Sequence, residues 1–235
     1  MDLIRLLRSL EEFLYELVGW LVFYPRTFWQ IVRHPGQIAR YTRDELGKPL
    51  DARFQATISP VLMLILTVAL AHAMELATRA AIPDLQSPVG RILFGSEEGI
   101  MLTRSAIFCI YALGAALGTL RRQKVYITRE TLREPFSIQA FLACPFVLAL
   151  ALGELLLRWP GHAWVGPGLA VHALGIGWYL WARTVAYRAL NPSGWARAFG
   201  LVLASFMITT VAVLVVAAAR SAQRAPMARP SWPRR

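Results

Sequence analysis

The stretch PFSIQAFLACPFVLALALG, residues 135–153, contains 19 residues without one charged side chain. As an α-helix rising ~1.5 Å per residue, it would reach nearly across the ~30 Å hydrocarbon layer of a bilayer. Three further runs have the same character, with 21, 24 and 22 uncharged residues at 54–74, 159–182 and 198–219. Each of the four runs is therefore predicted to form a membrane-spanning helix.

A fifth apolar stretch, at about 100–120, carries one arginine near its start. Arg104 lies within the first turns of that stretch, where a long side chain can extend to the membrane surface. The runs are apolar on every face, whereas a membrane barrel needs short alternating segments. We therefore predict an all-α fold, a polytopic bundle of five transmembrane helices.

The composition agrees with a membrane protein. Hydrophobic residues make up 56% of the 235 residues and charged residues 17%, well below the quarter typical of soluble domains. The net charge of +11 resembles that of a nucleic-acid-binding protein, but the basic residues lie mostly between the apolar runs, and we predict no nucleic-acid partner. Cys109 and Cys144 lie inside apolar runs without CxxC spacing, so buried free thiols are predicted.

The basic residues also predict an orientation. With the N-terminus inside, the inner segments carry 16 Lys and Arg residues (8, 5 and 3), and the outer segments carry 9 (3, 1 and 5). The sequence therefore favours a cytoplasmic N-terminus, although the basic tail counts against it. Because arginine far outnumbers lysine and the chain is rich in Ala, Gly and Pro, we expect a bacterial inner membrane protein. The acidic residues near the start argue against a removed signal peptide.

The N-terminal segment has a different pattern. From Leu3, apolar residues recur at steps of three and four, which predicts an amphipathic helix on the membrane surface. Pro25 is predicted to begin a second short helix that Pro35 and Gly36 end, giving a helical hairpin. We divide the chain into an interfacial cytoplasmic segment (1–56), the five-helix membrane domain (57–219) and a disordered basic tail (220–235).

The second short helix mixes aromatic and basic residues, which suits a membrane-surface anchor. The predicted anchor residues are Phe28, Trp29 and Val32 at the headgroup boundary, with Arg26 and Arg33 facing lipid phosphates. Two alternatives remain open: the segment packs against the cytoplasmic ends of the bundle, or it forms a docking face for a partner protein.

A family resemblance rests on this region. The motif YPRTFWQIVRHP, followed by the charged linker RYTRDELGKPLDARF and five hydrophobic helices, resembles the bacterial branch of the Yip1-domain membrane proteins. The likeness covers about residues 20–219. It implies a cytosolic N-terminus and a non-catalytic role as an adaptor, a scaffold or a trafficking protein.

Seven ionisable side chains fall near the outer ends of the predicted helices, where charges need partners. They are His72, Glu75, Arg104, Glu154, Arg158, His162 and His172. They are interpreted either as structural ion pairs, or as a polar cavity for transport or proton relay built on Glu75, Glu154 and His172. A metal site is a third interpretation, because suitable ligand types occur at His72, Glu75, His162 and His172. No tight spacing of these residues supports it.

Other patterns are less informative. The Gly114 and Gly118 pair forms a GxxxG motif, which predicts close helix packing within the bundle or in a dimer. Motifs for nucleophilic catalysis, phosphate binding and dinucleotide binding do not occur, so we predict neither an enzyme nor a cofactor. The leading hypothesis is a membrane adaptor acting on lipids, partner membrane proteins or a second copy of itself; the alternative is a small permease or transporter subunit.

Overall fold

The protein is described here by a computed structural model that covers residues 2–78 and 97–223. Across these residues the chain forms seven α-helices and no β-strand. The helices are α1 (Asp2–Arg33), α2 (Pro35–Leu46), α3 (Pro60–Ala77), α4 (Glu97–Gln123), α5 (Arg129–Arg158), α6 (Val165–Leu190) and α7 (Trp195–Gln223). Short 3-10 turns at Leu50–Ala52 and His162–Trp164 precede α3 and α6. The predicted all-helical fold is confirmed.

Helix α5 is the centre of the bundle and packs against α1, α2, α3, α4 and α6. Its residues from Ser137 to Val147, within the opening stretch of uncharged residues, are buried without interruption. The helix begins at Arg129 because Thr128 caps it: the Thr128 hydroxyl accepts from the Thr131 N–H, and the Thr131 hydroxyl accepts from the Thr128 N–H. Around Phe146, which stacks on Tyr179 at 4.4 Å between ring centroids, aromatic side chains from α4, α5, α6 and α7 form the core.

Three helices in the described part of the chain are long and apolar enough to cross a membrane. They are α3 (Pro60–Ala77), α5 (Arg129–Arg158) and the Trp195–Val215 part of α7. The chain is thus suited to a membrane. Helix α4 contains the predicted crossing at about 100–120. Helix α6 contains residues 165–182 of the run at 159–182, whose first six residues form the turn after α5. The count of five crossings stays a prediction. The helix that corresponds to the predicted run at 54–74 starts at Pro60, because residues 54–59 form the linker that precedes α3.

The predicted helix boundary at Pro25 is wrong. Helix α1 continues through Pro25 to Arg33 without interruption. Proline removes the backbone bond to the carbonyl four residues earlier, but Leu21 and Pro25 are both exposed, so that carbonyl remains accessible to other donors. The predicted end of this helix before Pro35 is correct, but Pro35 then occupies the first position of α2, where its missing N–H costs nothing. The two predicted short helices are thus one long helix followed by α2.

Small residues set the closest contacts between helices. A Cβ added to Gly118 would lie 3.1 Å from the Ser205 hydroxyl, and one added to Gly114 would collide with Thr209. The GxxxG motif therefore packs α4 against α7 inside the bundle, which resolves the alternative left by the sequence. Gly175 of α6 meets Ala149 of α5 in the same way, with 2.7 Å between the added Cβ and the alanine Cβ.

The two cysteines differ in burial. Cys144 is fully buried and its thiol donates to the Ala140 carbonyl, as predicted for a structural thiol. Cys109 is exposed on the surface of α4, so its predicted burial is wrong. An apolar run in a membrane helix contains both core-facing and lipid-facing positions, and the run alone does not distinguish them. Helix α7 extends to Gln223, four residues into the segment predicted to be disordered, and residues 224–235 of that segment lie outside the described residues.

Candidate functional site

The last turns of α1 have a face that packs into the bundle. Thr27 and Ile31 are fully buried. The Tyr24 hydroxyl forms a 2.9 Å hydrogen bond with the Thr67 hydroxyl of α3, and burial raises the pKa of Tyr24 to about 12, so the phenol stays protonated. Phe28 stacks on Tyr24 at 6.1 Å and packs against the core, while the Val32 carbonyl accepts from the Trp178 indole of α6 at 3.3 Å. This half of the predicted anchor is therefore part of the bundle.

The opposite side of the same turns is exposed, and we call Arg26, Trp29 and Arg33 the outward face. All three side chains are exposed, Trp29 by 55%. The Arg33 guanidinium lies over the Trp29 ring, 4.4 Å from its centroid. Stacking of this kind orders a large aromatic surface beside a positive charge. The predicted anchor thus divides into Phe28 and Val32, partly buried, and the outward face.

Further along α1 toward its N-terminus, apolar side chains are exposed as well. Tyr15, Val18, Leu21 and Val22 are all more than half exposed. An exposed apolar row of this kind indicates a surface that contacts a membrane or another protein. Most side chains of the predicted apolar stripe lie outside the described residues, so the position of α1 on the membrane surface stays a prediction.

The linker between α2 and α3 is held by one buried carboxylate. Glu45 is only 5% exposed and accepts from Lys48 Nζ at 2.5 Å and from the Phe54 backbone N–H at 2.7 Å. Burial alone would raise the pKa of Glu45, but these bonds to the charged form outweigh it and lower the pKa. Phe54 has a φ of 53°, an unfavourable conformation for this residue, and its ring packs edge-on against Phe141 of α5. The linker, which the sequence presents only as a charged stretch, is a fixed joint between α2 and the bundle.

A cavity of about 230 Å³ lies between α2, α4, α5 and α6 at the same end of the bundle. An ion pair between Arg43 of α2 and Glu134 of α5, 2.7 Å long, lies on its wall. Gln139, 9% exposed, also lines it, and its side-chain oxygen has no hydrogen-bond partner among the described residues. The ion pair joins α2 to α5 at the edge of this cavity.

Three of the seven predicted outer polar residues come together. The Arg158 guanidinium and the Glu154 carboxylate form an ion pair one turn apart on α5. His172 of α6 packs against Gly153, and its Nδ1 lies 2.9 Å from the Gly168 carbonyl. Glu154 and His172 line a cavity of about 430 Å³ among α3, α4, α5, α6 and α7, whose other walls are largely apolar. We call this space the central cavity.

The remaining four residues of that set lie on three different elements. His72 and Glu75 lie on α3, and the His72 Nδ1 is buried without a hydrogen-bond partner in the described residues. His162 is exposed in the turn before α6. Arg104 lies on α4, but its side chain is outside what the structure describes. Across the described side chains, no three His, Cys, Asp or Glu residues are grouped to hold a metal ion.

Sequence reasoning missed a buried arginine. Arg183 of α6, counted above as an inner-loop charge, is only 4% exposed. Its guanidinium donates to the Ser205 hydroxyl of α7 at 3.2 Å and lies 5.3 Å from the centroid of the Tyr179 ring. Tyr179, four residues earlier on the same helix, is a signal that points to this stacking. One of the three basic residues in the 183–197 segment therefore belongs to the bundle. The excess of basic residues in the inner segments, on which the predicted orientation depends, is smaller by one.

Comparisons with protein-family models, with curated proteins and with solved structures find no match to this chain. The Yip1-domain resemblance therefore stays a prediction.

Proposed function

We propose that this chain is a non-enzymatic membrane adaptor or scaffold of Yip1-like type, with five crossings, in a bacterial inner membrane. Its N-terminus lies on the cytoplasmic side. The N-terminal helices act there on lipids and on partners. The exposed row on α1 contacts lipids, and the outward face binds partner membrane proteins or a second copy of the chain. No cofactor takes part.

The observation that carries this proposal is the division of α1 between two surfaces. Ile31 is fully buried while Trp29, two residues before it, is more than half exposed and stacked by Arg33. A fixed inner face holds the helix at a constant place on the bundle, and a partner therefore meets an ordered aromatic and basic surface. Tryptophan and arginine are the residues that most often dominate binding at such surfaces.

The fixed linker between α2 and α3 supports the same role. Glu45 holds the linker, whose Phe54 ring packs against Phe141 of α5. The Arg43–Glu134 ion pair joins α2 to the same helix, which in turn contacts α1, α3, α4 and α6. Binding at the N-terminal helices would therefore act on a connected unit rather than on a loose extension.

Co-purification from mild detergent tests the adaptor role. The Trp29→Ala/Arg33→Gln variant removes the stacked pair but leaves the buried face intact, and it should lose the proteins that the wild-type chain retains. A matched control is Trp181→Ala/Arg188→Gln, which removes an exposed tryptophan and an exposed arginine from α6. Equal retention by the wild type and the outward-face variant would refute the proposal.

A second candidate function rests on the central cavity. At about 430 Å³, with Glu154 and His172 on an otherwise largely apolar wall, it is within the size and chemistry of small-molecule sites. A small permease or transporter subunit would use it. This role predicts that Glu154→Gln reproduces the phenotype of a deletion strain while Trp29→Ala/Arg33→Gln complements it; the adaptor role predicts the opposite pattern.

A further inference from the structure

A third cavity lies where α1, α2 and the linker to α3 meet. Its volume is about 260 Å³. Six polar side chains line it: Arg26, Gln30, His34, Gln37, Tyr41 and Thr57. This cavity, which we call the elbow pocket, is separate from the central cavity and from the cavity beside Gln139.

Helix geometry explains why these groups converge. Arg26 and Gln30 lie four residues apart on α1, and His34 follows four residues later, directly after the helix ends. The three residues therefore lie along one side of this segment. Gln37 and Tyr41 have the same spacing on α2. The one-residue break at His34 sets the two rows against one another, and the Tyr41 hydroxyl reaches the Thr57 hydroxyl at 3.2 Å to close the third side.

The polar side chains that line the pocket favour a negatively charged ligand. A guanidinium, two carboxamides, an imidazole, a phenol and a hydroxyl all offer hydrogen-bond donors, and no carboxylate lines the pocket. Glu45, one turn beyond Tyr41, is already held by Lys48 and by the Phe54 N–H. Donors grouped around a cationic side chain favour an anion that has several acceptor oxygens, and phosphate is the common biological example.

The position of the pocket indicates where that phosphate comes from. Thr57 lies three residues before Pro60, the start of a helix that is apolar enough to cross a membrane. The end of such a helix lies at the level of the lipid headgroups. Exposed Trp29, of the residue type that favours this level, is on the neighbouring turn of α1.

We propose that the elbow pocket binds the phosphodiester headgroup of an anionic phospholipid, with Arg26 as its charged contact and Gln30, His34 and Gln37 as further donors. The inference deepens the proposed function, since it requires α1 to lie at the membrane surface and names a lipid class as its ligand. The bound lipid would fix the angle between α1 and α2 and so the direction of the outward face.

Native mass spectrometry of the full-length protein in mild detergent, with added phosphatidylglycerol or phosphatidylcholine, tests this proposal. The wild type should retain one phosphatidylglycerol in preference to phosphatidylcholine. Arg26→Gln should weaken that retention about tenfold, the loss expected for one charge-assisted hydrogen bond. Gln30→Leu, which changes no charge, should weaken it severalfold. All these side chains are exposed, so the thermal midpoint should not change.

Arg33→Gln is the matched control, because it removes an equal charge from the same helix outside the pocket. Equal losses for Arg26→Gln and Arg33→Gln, with none for Gln30→Leu, would show general electrostatic attraction and overturn the proposal. Displacement of the lipid by inorganic phosphate alone would overturn its lipid part. The adaptor role is tested separately, since Trp29→Ala/Arg33→Gln should abolish partner retention and leave phosphatidylglycerol bound.

Discussion

The two sides of the N-terminal helices have opposite relations to the bundle, although their residues alternate along one stretch of chain. Thr27, Ile31 and Ala39 are fully buried, whereas Trp29 is 55% exposed. The segment is therefore neither a plain anchor nor a plain structural helix. One side supplies the stability that holds the other in place, and each side should respond differently to substitution.

The largest contrast is expected between neighbouring residues of α1. Ile31→Ala removes a fully buried side chain and should lower the free energy of unfolding by about 2–5 kcal/mol. Trp29→Ala removes an exposed ring together with its stacking on Arg33, and should cost about 1 kcal/mol or less. Thermal unfolding of both variants in the same detergent measures the difference. Similar losses for the two would mean that α1 does not have an inner and an outer face.

Gly36 and Gly19 test the same contrast between a packed and an exposed side of the N-terminal helices. A Cβ at Gly36 would lie 3.1 Å from Val185 Cγ1 and 3.4 Å from the Ala189 Cβ, so Gly36→Leu should force α2 off α6 and cost about 1–3 kcal/mol. A Cβ at Gly19 would meet nothing within 4 Å, and Gly19→Leu should leave stability unchanged or raise it slightly. The thermal midpoints of the two variants check this. If Gly36→Leu were tolerated as well as Gly19→Leu, the docking of α2 described above would be wrong.

The buried Glu45 carboxylate should make the free energy of unfolding depend on pH. The pKa of Glu45 is lowered in the folded protein, so its contribution is present above the pKa of the unfolded chain and is lost as pH falls through the folded value. Glu45→Gln should therefore cost about 1–3 kcal/mol at pH 7, and this difference from the wild type should shrink below about pH 4. Unfolding midpoints from pH 7 to pH 3 measure it. A difference that stays constant down to pH 3 would contradict the role given to the Glu45 charge.

The smallest effect on stability is expected on the outer side of α2. Arg40 is exposed, and Arg40→Gln should change the unfolding free energy by less than about 0.5 kcal/mol. Arg43→Gln, which breaks the half-exposed ion pair with Glu134, should cost at most about 1 kcal/mol. Thermal midpoints in low salt resolve the order. A larger loss from Arg40→Gln than from Arg43→Gln would show that the outer side of α2 is packed against something.

The sequence predicts more of the fold than of the site. The uncharged runs lie within α3, α5, α6 and α7 apart from the linker residues 54–59 and the turn after α5, because charge-free length is a direct requirement of crossing a bilayer. The predicted helix boundary at Pro25 is wrong, because the cost of a proline inside a helix depends on whether the carbonyl four residues earlier is accessible. That accessibility is a property of the packed molecule.

Contacts between distant segments could not be foreseen. The burial of Arg183 depends on Ser205, 22 residues later on another helix, and the joint at Glu45 depends on a backbone N–H nine residues away. Similar depth in the membrane suggested seven neighbouring polar residues, but depth does not specify which side of each helix faces the bundle. Of that set, the structure brings Glu154 together with Arg158 and His172.

The membrane crossing of α5, with the cytoplasmic side at its N-terminal end, is the central claim. It is tested by single cysteines at Tyr126 and His162, both exposed and on either side of α5, in a chain whose Cys109 and Cys144 are replaced by alanine. A membrane-impermeant thiol reagent applied to intact cells should label position 162 and leave position 126 unlabelled until the membrane is opened. Labelling of both positions from outside would contradict the crossing, and labelling of 126 alone would reverse the orientation.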